Sequence, residues 1–300
     1  MDQDGVALID KPAGITSRRT LDRVMRILKT KRGGHFGSLD PFATGLLCIG
    51  IGQGTKCLPF LQDQPKEYIA RIGIEMSTDT DDITGTVLKS FHDAELDLEK
   101  AQEWIRTHIG QIIQTPPDYC AQKHGGTPLY RLKRANQTVS PRAKEIHIAH
   151  MEILAHTRDS LDMRIVCSRG TYIRAIARDL GTALGFGGYL RELRRLKSEG
   201  FSLENALTLE ELESRVEAGS FGLIPLPEAL HLPTARVTAT GQAEIMDGKP
   251  IQISGLIDRP EVPDGSYLAL VNTSDQLLCV AKVQRQGGIF GVIERGFQPF

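Results

Sequence analysis

The chain lacks most of the features that would assign it to a membrane, an oxidising compartment or a metal. No window reaches about 18 uninterrupted apolar residues, so no membrane-spanning helix is expected. The start, MDQDGVALIDKP, has no basic stretch leading into an apolar run, so no signal peptide is expected. Cysteine is scarce: Cys48, Cys57, Cys120, Cys167 and Cys279 are odd in number and widely spaced, with no C-x-x-C. That argues against a zinc site and a disulfide framework, and a reducing cytoplasm is the expected location. A dinucleotide fingerprint, internal repeats and low-complexity tracts are absent as well. So is an overall basic excess: the net charge is −1 and the pI about 6.7, below the usual range of a nucleic-acid binder.

What is present is uneven. Arg18, Arg19, Arg23, Arg26, Lys29, Lys31 and Arg32 stand against Asp22 alone. Lys123, Arg131, Lys133, Arg134, Arg142 and Lys144 have no acid among them, and Arg191, Arg194, Arg195 and Lys197 surround Glu192. The acids gather elsewhere, five in residues 93–103 and five in 204–217. A single charge run is usually a solvated face. Three basic segments balanced by separate acidic ones predict a one-sided positive surface suited to a polyanion such as RNA.

Glycine is concentrated too. Gly33–Gly54, GGHFGSLDPFATGLLCIGIGQG, holds seven of the chain's 30 glycines in 22 residues. It contains one carboxylate, Asp40, held out of the helical region by Pro41. From local sequence this is equally a tight turn between packed elements or a catalytic loop with His35 just upstream.

Along the chain, GVALID reads as a buried strand, and Thr16 or Ser17 caps a helix carrying Leu21, Val24, Met25 and Leu28. Leu46–Ile51 is strand-like, and KEYIARIGI places Tyr68, Ala70, Ile72 and Ile74 on one strand face. Tyr68 there reads most simply as a core tyrosine. STDTDDITG imitates a calcium loop, but Gly85 falls at the seventh position and Ser90 at the twelfth, so a polar turn is expected. Asp97 caps a helix with Trp104 facing inward, and Ile146–His156 with Leu161–Cys167 reads as a hairpin. His147, His150 and His156 have no second cluster that would make them metal ligands. Ile173 to Leu184 forms a helical stripe, and Leu190, Leu193 and Leu196 predict a second helix. After a linker at Pro225–Pro233, short strands and turns predict a small β-barrel.

Six blocks now stand in order: GVALIDKPAGITS, GGHFGSLDPFATGLL, KEYIARIG with STDTDDITG, QTPPDYCAQKHGGTPLYRLKR, CSRGTYIRAIARDLG and LRELRRLKSEGF. Together they resemble the TruB family of tRNA pseudouridine synthases over about Gly5 to Leu230. Cys120 and Asn136 depart from the family's usual Ser and Gly. The resemblance implies an α+β pseudouridine synthase fold, with a mixed, largely antiparallel central sheet flanked by helices and a small C-terminal β-barrel. It implies a catalytic domain over 1–230 and a PUA-like RNA-binding domain over 231–300. The implied activity is isomerisation of uridine 55 in the tRNA T loop to pseudouridine after base flipping. Neither cofactor nor metal is required, and the partner is tRNA, gripped at the T arm and touched on its acceptor side by the tail of an expected monomer. Asp40 would be the essential carboxylate and Arg174 its partner. Tyr68 would stack on the flipped base, His35 would sit in the disrupted T loop, and Tyr172 and Leu193 would line the pocket. A non-catalytic RNA-binding or RNA-folding module of the same fold is the alternative. A glycosidase would need two acids about 5–10 Å apart, and no second acid has a comparable glycine-rich setting.

Overall fold

The computed structural model describes residues 4–61, 64–120, 122–135 and 139–297. Asn136 lies outside the described residues, as do the side chains of Lys123, Arg131 and Arg134. In chain order the first half comprises β1 (Gly5–Lys11), α1 (Ser17–Ile27), β2 (Gly33–Phe36), β3 (Thr44–Ile51), α2 (Leu58–Leu61), β4 (Lys66–Gly73), β5 (Met76–Thr78), β6 (Val87–Ser90), α3 (Leu98–Thr107) and β7 (Gly110–Gln114). There follow β8 (Lys123–His124), β9 (Thr127–Pro128), α4 (Leu129–Arg134), β10 (Lys144–His156), β11 (Ser160–Cys167), α5 (Ile173–Leu184), β12 (Tyr189–Ser198), β13 (Phe201–Ser202), α6 (Leu209–Glu217) and α7 (Leu226–Ala229).

Nine strands make the central sheet, in the order β1-β3-β12-β4-β11-β10-β7, with β2 on β3 and β13 on β12. Every pairing is antiparallel except β3 with β12, which meet at Thr44 and Gly45. The sheet is thus mixed and largely antiparallel, as expected. β3 lies inside it, between β1 on one side and β2 and β12 on the other, because its apolar run can be buried on both faces. Leu46 and Cys48 turn to one core with Val6 and Leu8 of β1, while Leu47, Ile49 and Ile51 turn to another with Ala7 and Ile9. This is the period-two alternation of a strand. The second core is closed by Leu21 and Val24 of α1 and Leu209 and Leu212 of α6. Thr16 caps α1, and Thr208 with Glu211 forms a capping box on α6. Farther along, Tyr68, Ala70, Ile72 and Ile74 pack with Ile173, Ile176, Ala177, Leu180 and Leu184 of α5.

One expectation fails. Leu190, Leu193 and Leu196 lie on a strand, β12, and not on a helix. Register shifts between Leu190 and Glu192 and between Arg195 and Lys197 mark two bulges against β4. Each bulge inserts an extra residue and breaks the alternation. Buried Leu190 and Leu193 are therefore three apart, the spacing of a helix stripe.

Beyond the central sheet come β14 (Thr234–Arg236), α8 (Ala239–Met246), β15 (Ile251–Gln252), β16 (Tyr267–Val271), β17 (Leu277–Gln286) and β18 (Ile289–Gly296). Five strands curl in the order β14-β16-β17-β18-β15 around a core of their own. This unit is packed firmly on the first: Ala269, Val271, Leu277, Val280 and Phe297 share one core with Leu8, Phe36 and Leu46. Lys56 Nζ donates to the Gly296 carbonyl at 2.9 Å, and the rings of Phe60 and Tyr267 meet edge to face at 5.2 Å.

Candidate active site

Residues 37–43 connect β2 to β3 at the place where β12 takes over the edge of β3 from β2. Gly37 starts the connection at φ +64°, in the left-handed region. The opening segment of the chain then pins it. Ser17 Oγ donates to the Leu39 carbonyl at 3.0 Å and accepts from the Leu39 amide at 2.8 Å. Gly14 N donates to the Pro41 carbonyl at 2.8 Å. Buried Lys11 donates to the carbonyls of Pro12, Ile15 and Pro41 at 2.8, 2.9 and 3.3 Å. Burial, opposed by the charge of Asp40, brings the Lys11 ammonium down to about 8.

Asp40 is fixed on the other side by Arg174, from the first turn of α5. Arg174 Nη2 donates to Asp40 Oδ1 at 3.3 Å. Its Nε lies 2.9 Å from Oδ2 as an ion contact, with the N–H not aligned for a hydrogen bond. The rest of the guanidinium is anchored by the protein: Nη1 donates to the Thr80 carbonyl at 2.8 Å and Nη2 to the Tyr119 carbonyl at 3.0 Å. Nη1 also stands 3.6 Å from Asp82 Oδ2. Burial pushes the Asp40 carboxyl above its usual range, Arg174 pulls it down, and Asp82 pushes it up again. Its side chain is still 36% exposed, so the carboxylate can be reached from outside.

Asp40 opens into a cleft of about 820 Å³. Tyr68, Tyr172, Arg174 and Leu193 all line it, from β4, the start of α5 and β12. Burial raises the Tyr68 phenol to about 12, so it is a neutral donor across the neutral range. The Tyr172 backbone is clasped by Gln114, which donates to its carbonyl at 3.1 Å and accepts from its amide at 2.8 Å. His35 is not in this ring. It sits half-buried on β2 with Nδ1 unpartnered, and burial together with Arg195 and Arg18 pushes its pKa down.

Sequence reasoning missed several polar residues of the cleft, among them three charged ones that bear on Asp40 or its loop. Lys66 and Arg195 line it, and Arg195 is buried. Asp82 also lines it, accepting from Thr80 Oγ1, Thr84 N and Thr84 Oγ1 at 2.9, 2.9 and 2.6 Å. The loop that imitated a calcium site therefore spends its acid on its own turn and on Arg174. Among the described residues no group of His, Cys, Asp and Glu could hold a metal ion.

The basic segments fare unequally. Arg191 pairs with Glu75 and Asp159, Arg194 with Asp10, and Lys197 with Glu67. Those three cations are matched by acids and add little net charge to a positive surface, although the Arg194 and Lys197 side chains are 43% and 56% exposed. The α1 cations, in contrast, are exposed, and Arg18–Asp22 and Arg23–Glu210 are their ion pairs among the described residues.

The fold has known counterparts. It matches a chain of an H/ACA ribonucleoprotein bound to a substrate RNA containing 2′-deoxyuridine, with TM-score 0.74 and 22% identity over 98% of this chain and 85% of that one. A Cbf5–Nop10–Gar1 complex contains a chain with TM-score 0.74 and 24% identity over 99% of this chain and 86% of that one. At these identities the likeness concerns the fold alone. The sequence goes further. The model of the TruB family pseudouridylate synthase N-terminal domain matches residues 25–173, and that of the tRNA pseudouridylate synthase B C-terminal domain matches 174–221. The tRNA pseudouridine synthase B of Geobacter sulfurreducens is 39% identical over 82% of each chain. That of Gloeothece citriformis is 40% identical over 93% of this chain and 91% of its own. The chain belongs to the TruB family of pseudouridine synthases, which are isomerases.

Proposed function

We propose that the protein isomerises uridine 55 in the T loop of tRNA to pseudouridine, with the target base extruded into the Asp40 cleft. The observation that carries this reading is the bidentate approach of Arg174 to Asp40 in a cleft walled by Tyr68. A cleft of about 820 Å³ falls within the roughly 300–1,000 Å³ of small-molecule sites and can take one nucleoside. Relatives named tRNA pseudouridine synthase B support the substrate.

The reaction breaks the N1–C1′ bond and forms a C5–C1′ bond. The proton on C5 is lost and N1 gains one, so no atom is added and no electron is exchanged. A carboxylate can serve by attacking C6, by attacking C1′, or by removing a ribose proton. Each route needs Asp40 ionised and aimed, which is what Arg174 supplies. Flipping the base costs a few kcal/mol. Stacking on Tyr68 returns roughly 1–3 kcal/mol. The exposed cations of α1 hold phosphates, so affinity falls as salt rises. In this reading residues 1–230 form the catalytic domain of a monomer, and the PUA-like tail, 231–300, meets the acceptor side of the tRNA. His35 then acts at the T loop outside the cleft.

The test is incubation with an unmodified tRNA transcript and mapping of pseudouridine at single-nucleotide resolution. Conversion of uridine 55 alone is expected. Modification at another site would refute the T-loop assignment, and no modification would refute the activity.

A further inference from the structure

Next to the Asp40–Arg174 pair, three more charged side chains meet at one point. Lys66 Nζ lies 3.0 Å from Glu199 Oε1, and the two side chains are 11% and 3% exposed. A Cβ built on Gly37 would fall 2.6 Å from Lys66 Nζ, 3.3 Å from Glu199 Oε1 and 3.4 Å from Arg195 Nη1. Arg195 in turn donates from Nη2 to the Gly37 carbonyl at 2.9 Å and from Nε to the Leu46 carbonyl at 2.8 Å. It also stands directly opposite Tyr68 in the β12–β4 ladder. The cluster therefore lies between the loop that carries Asp40 and the strand position that carries Tyr68.

Glu199 is an expensive residue for a turn. It is the first of the two residues that join β12 to β13, and its φ is +55°. Such turns favour Asn or Gly at this place. Its carboxylate is buried, and Oε2 has no hydrogen-bond partner. A left-handed backbone, a buried charge and an unmet acceptor are three separate costs. Strain of this kind persists where the surroundings over-determine it, often at functional sites.

We propose that Glu199 is a positioning residue for the isomerisation. It holds Lys66 and Arg195 together, and through them fixes the Gly37 end of the Asp40 loop and the Tyr68 hydroxyl. The proposal rests on the reading of the cleft as the uridine site. Glu199 is not among the residues lining that cleft, whereas Lys66 and Arg195 are. Without the carboxylate, two cations face each other unscreened beneath Gly37 and push apart. The loop and the phenol then lose their common anchor, and a displacement near 1 Å costs about 10²-fold in rate.

The experiment measures single-turnover pseudouridine formation and transcript affinity with the full chain. Glu199→Gln should lower the rate constant by about 10- to 100-fold and leave Kd within about threefold. Glu199→Asp, which keeps the charge, should recover part of the rate. In a Tyr68→Phe background Glu199→Gln should cost markedly less than in wild type, because in this proposal both act through Arg195. A merely structural role would give independent, multiplicative losses. A Glu199→Gln rate within about twofold of wild type, or a loss carried by Kd alone, would overturn the proposal. If Glu199→Gln does not fold, Glu199→Asp takes its place in the cycle, where its smaller loss should shrink in the same way, and a loss left unchanged by Tyr68→Phe would overturn the proposal. Wild-type protein that leaves the transcript unmodified would count against the cleft reading itself, which separates the two failures.

Discussion

Removal of Arg174 tests the site most directly, because its guanidinium joins four groups. In Arg174→Met the carboxylates of Asp40 and Asp82 lose their cation, and the carbonyls of Thr80 and Tyr119 lose a donor. Stripping one partner from a buried ion pair costs about 3–5 kcal/mol. Asp82, with a side chain only 5% exposed, carries most of that cost. Its three hydrogen bonds to Thr80 and Thr84 keep it partly solvated by protein, which places it near the lower end. Asp40 is 36% exposed, so its share shrinks to roughly 0–1 kcal/mol. The sum is about 3–4 kcal/mol, measured as a lower urea midpoint at unchanged m. Turnover should fall by at least about 10²-fold, since the carboxylate is no longer aimed. Arg174→Lys restores a charge but not the fork, and should recover stability more than rate. The sign on pH follows. Arg174 is the strongest influence lowering the Asp40 carboxyl, so its loss moves the acid limb of kcat/KM to higher pH. An Arg174→Met protein as stable as wild type, with turnover within about tenfold, would refute the assigned role.

Other perturbations have equally definite outcomes. Asp40→Asn should abolish pseudouridine formation in a transcript assay while keeping tRNA affinity within about threefold, since charge is lost and shape kept. The same variant should melt higher than wild type at neutral pH. The folded-state pKa of Asp40 lies above its unfolded value, so ionisation disfavours the native state as pH rises through the folded value, and the gap should close as the medium is acidified. Tyr68→Phe should bind RNA normally and turn over slowly, and wild type should show no Tyr68 limb below about pH 10, because the phenol titrates near 12. Gly45→Ala should unfold at lower urea and lose activity. Its φ is +101°, and a Cβ would stand 2.3 Å from the Arg195 carbonyl oxygen, driving β3 and β12 apart beside the catalytic loop.

Legibility in the sequence followed the range of the forces involved. Caps act over three residues, so Asp97 could be read directly and Thr16 as one of two neighbours, and each accepts the expected amide. Strand faces act over two, so Tyr68 with Ala70 and Ile72 was legible as well. β12 was not, because its bulges are set by β4, more than 100 residues earlier. The same misreading hid Arg195. On a helix it would have been one of several solvated arginines, whereas on the bulged strand it points beneath Gly37 and Leu46. Lys66 and Glu199 gave no local signal, since their pairing spans 133 positions. The charge runs misled in part. Acids on distant strands and turns absorb Arg191, Arg194 and Lys197, and no count along the chain contains those partners.

The glycine-rich loop shows why a motif alone does not make an active site. Glycine lets the chain turn at Gly37 and lets β12 approach at Gly45, but the same freedom would leave Asp40 unaimed in an isolated segment. Aim comes from far away: Ser17 and Lys11 hold the loop backbone from one side, Arg195 grips its start from below, and Arg174 fixes the carboxylate from α5. These contacts form together only when β12 is inserted between β3 and β4. Burial opposes the ionised acid, and the surrounding cations oppose burial. An acid balanced in this way is held as a carboxylate by Arg174 against the pull of burial, so assembly of the sheet and readiness of Asp40 are one event.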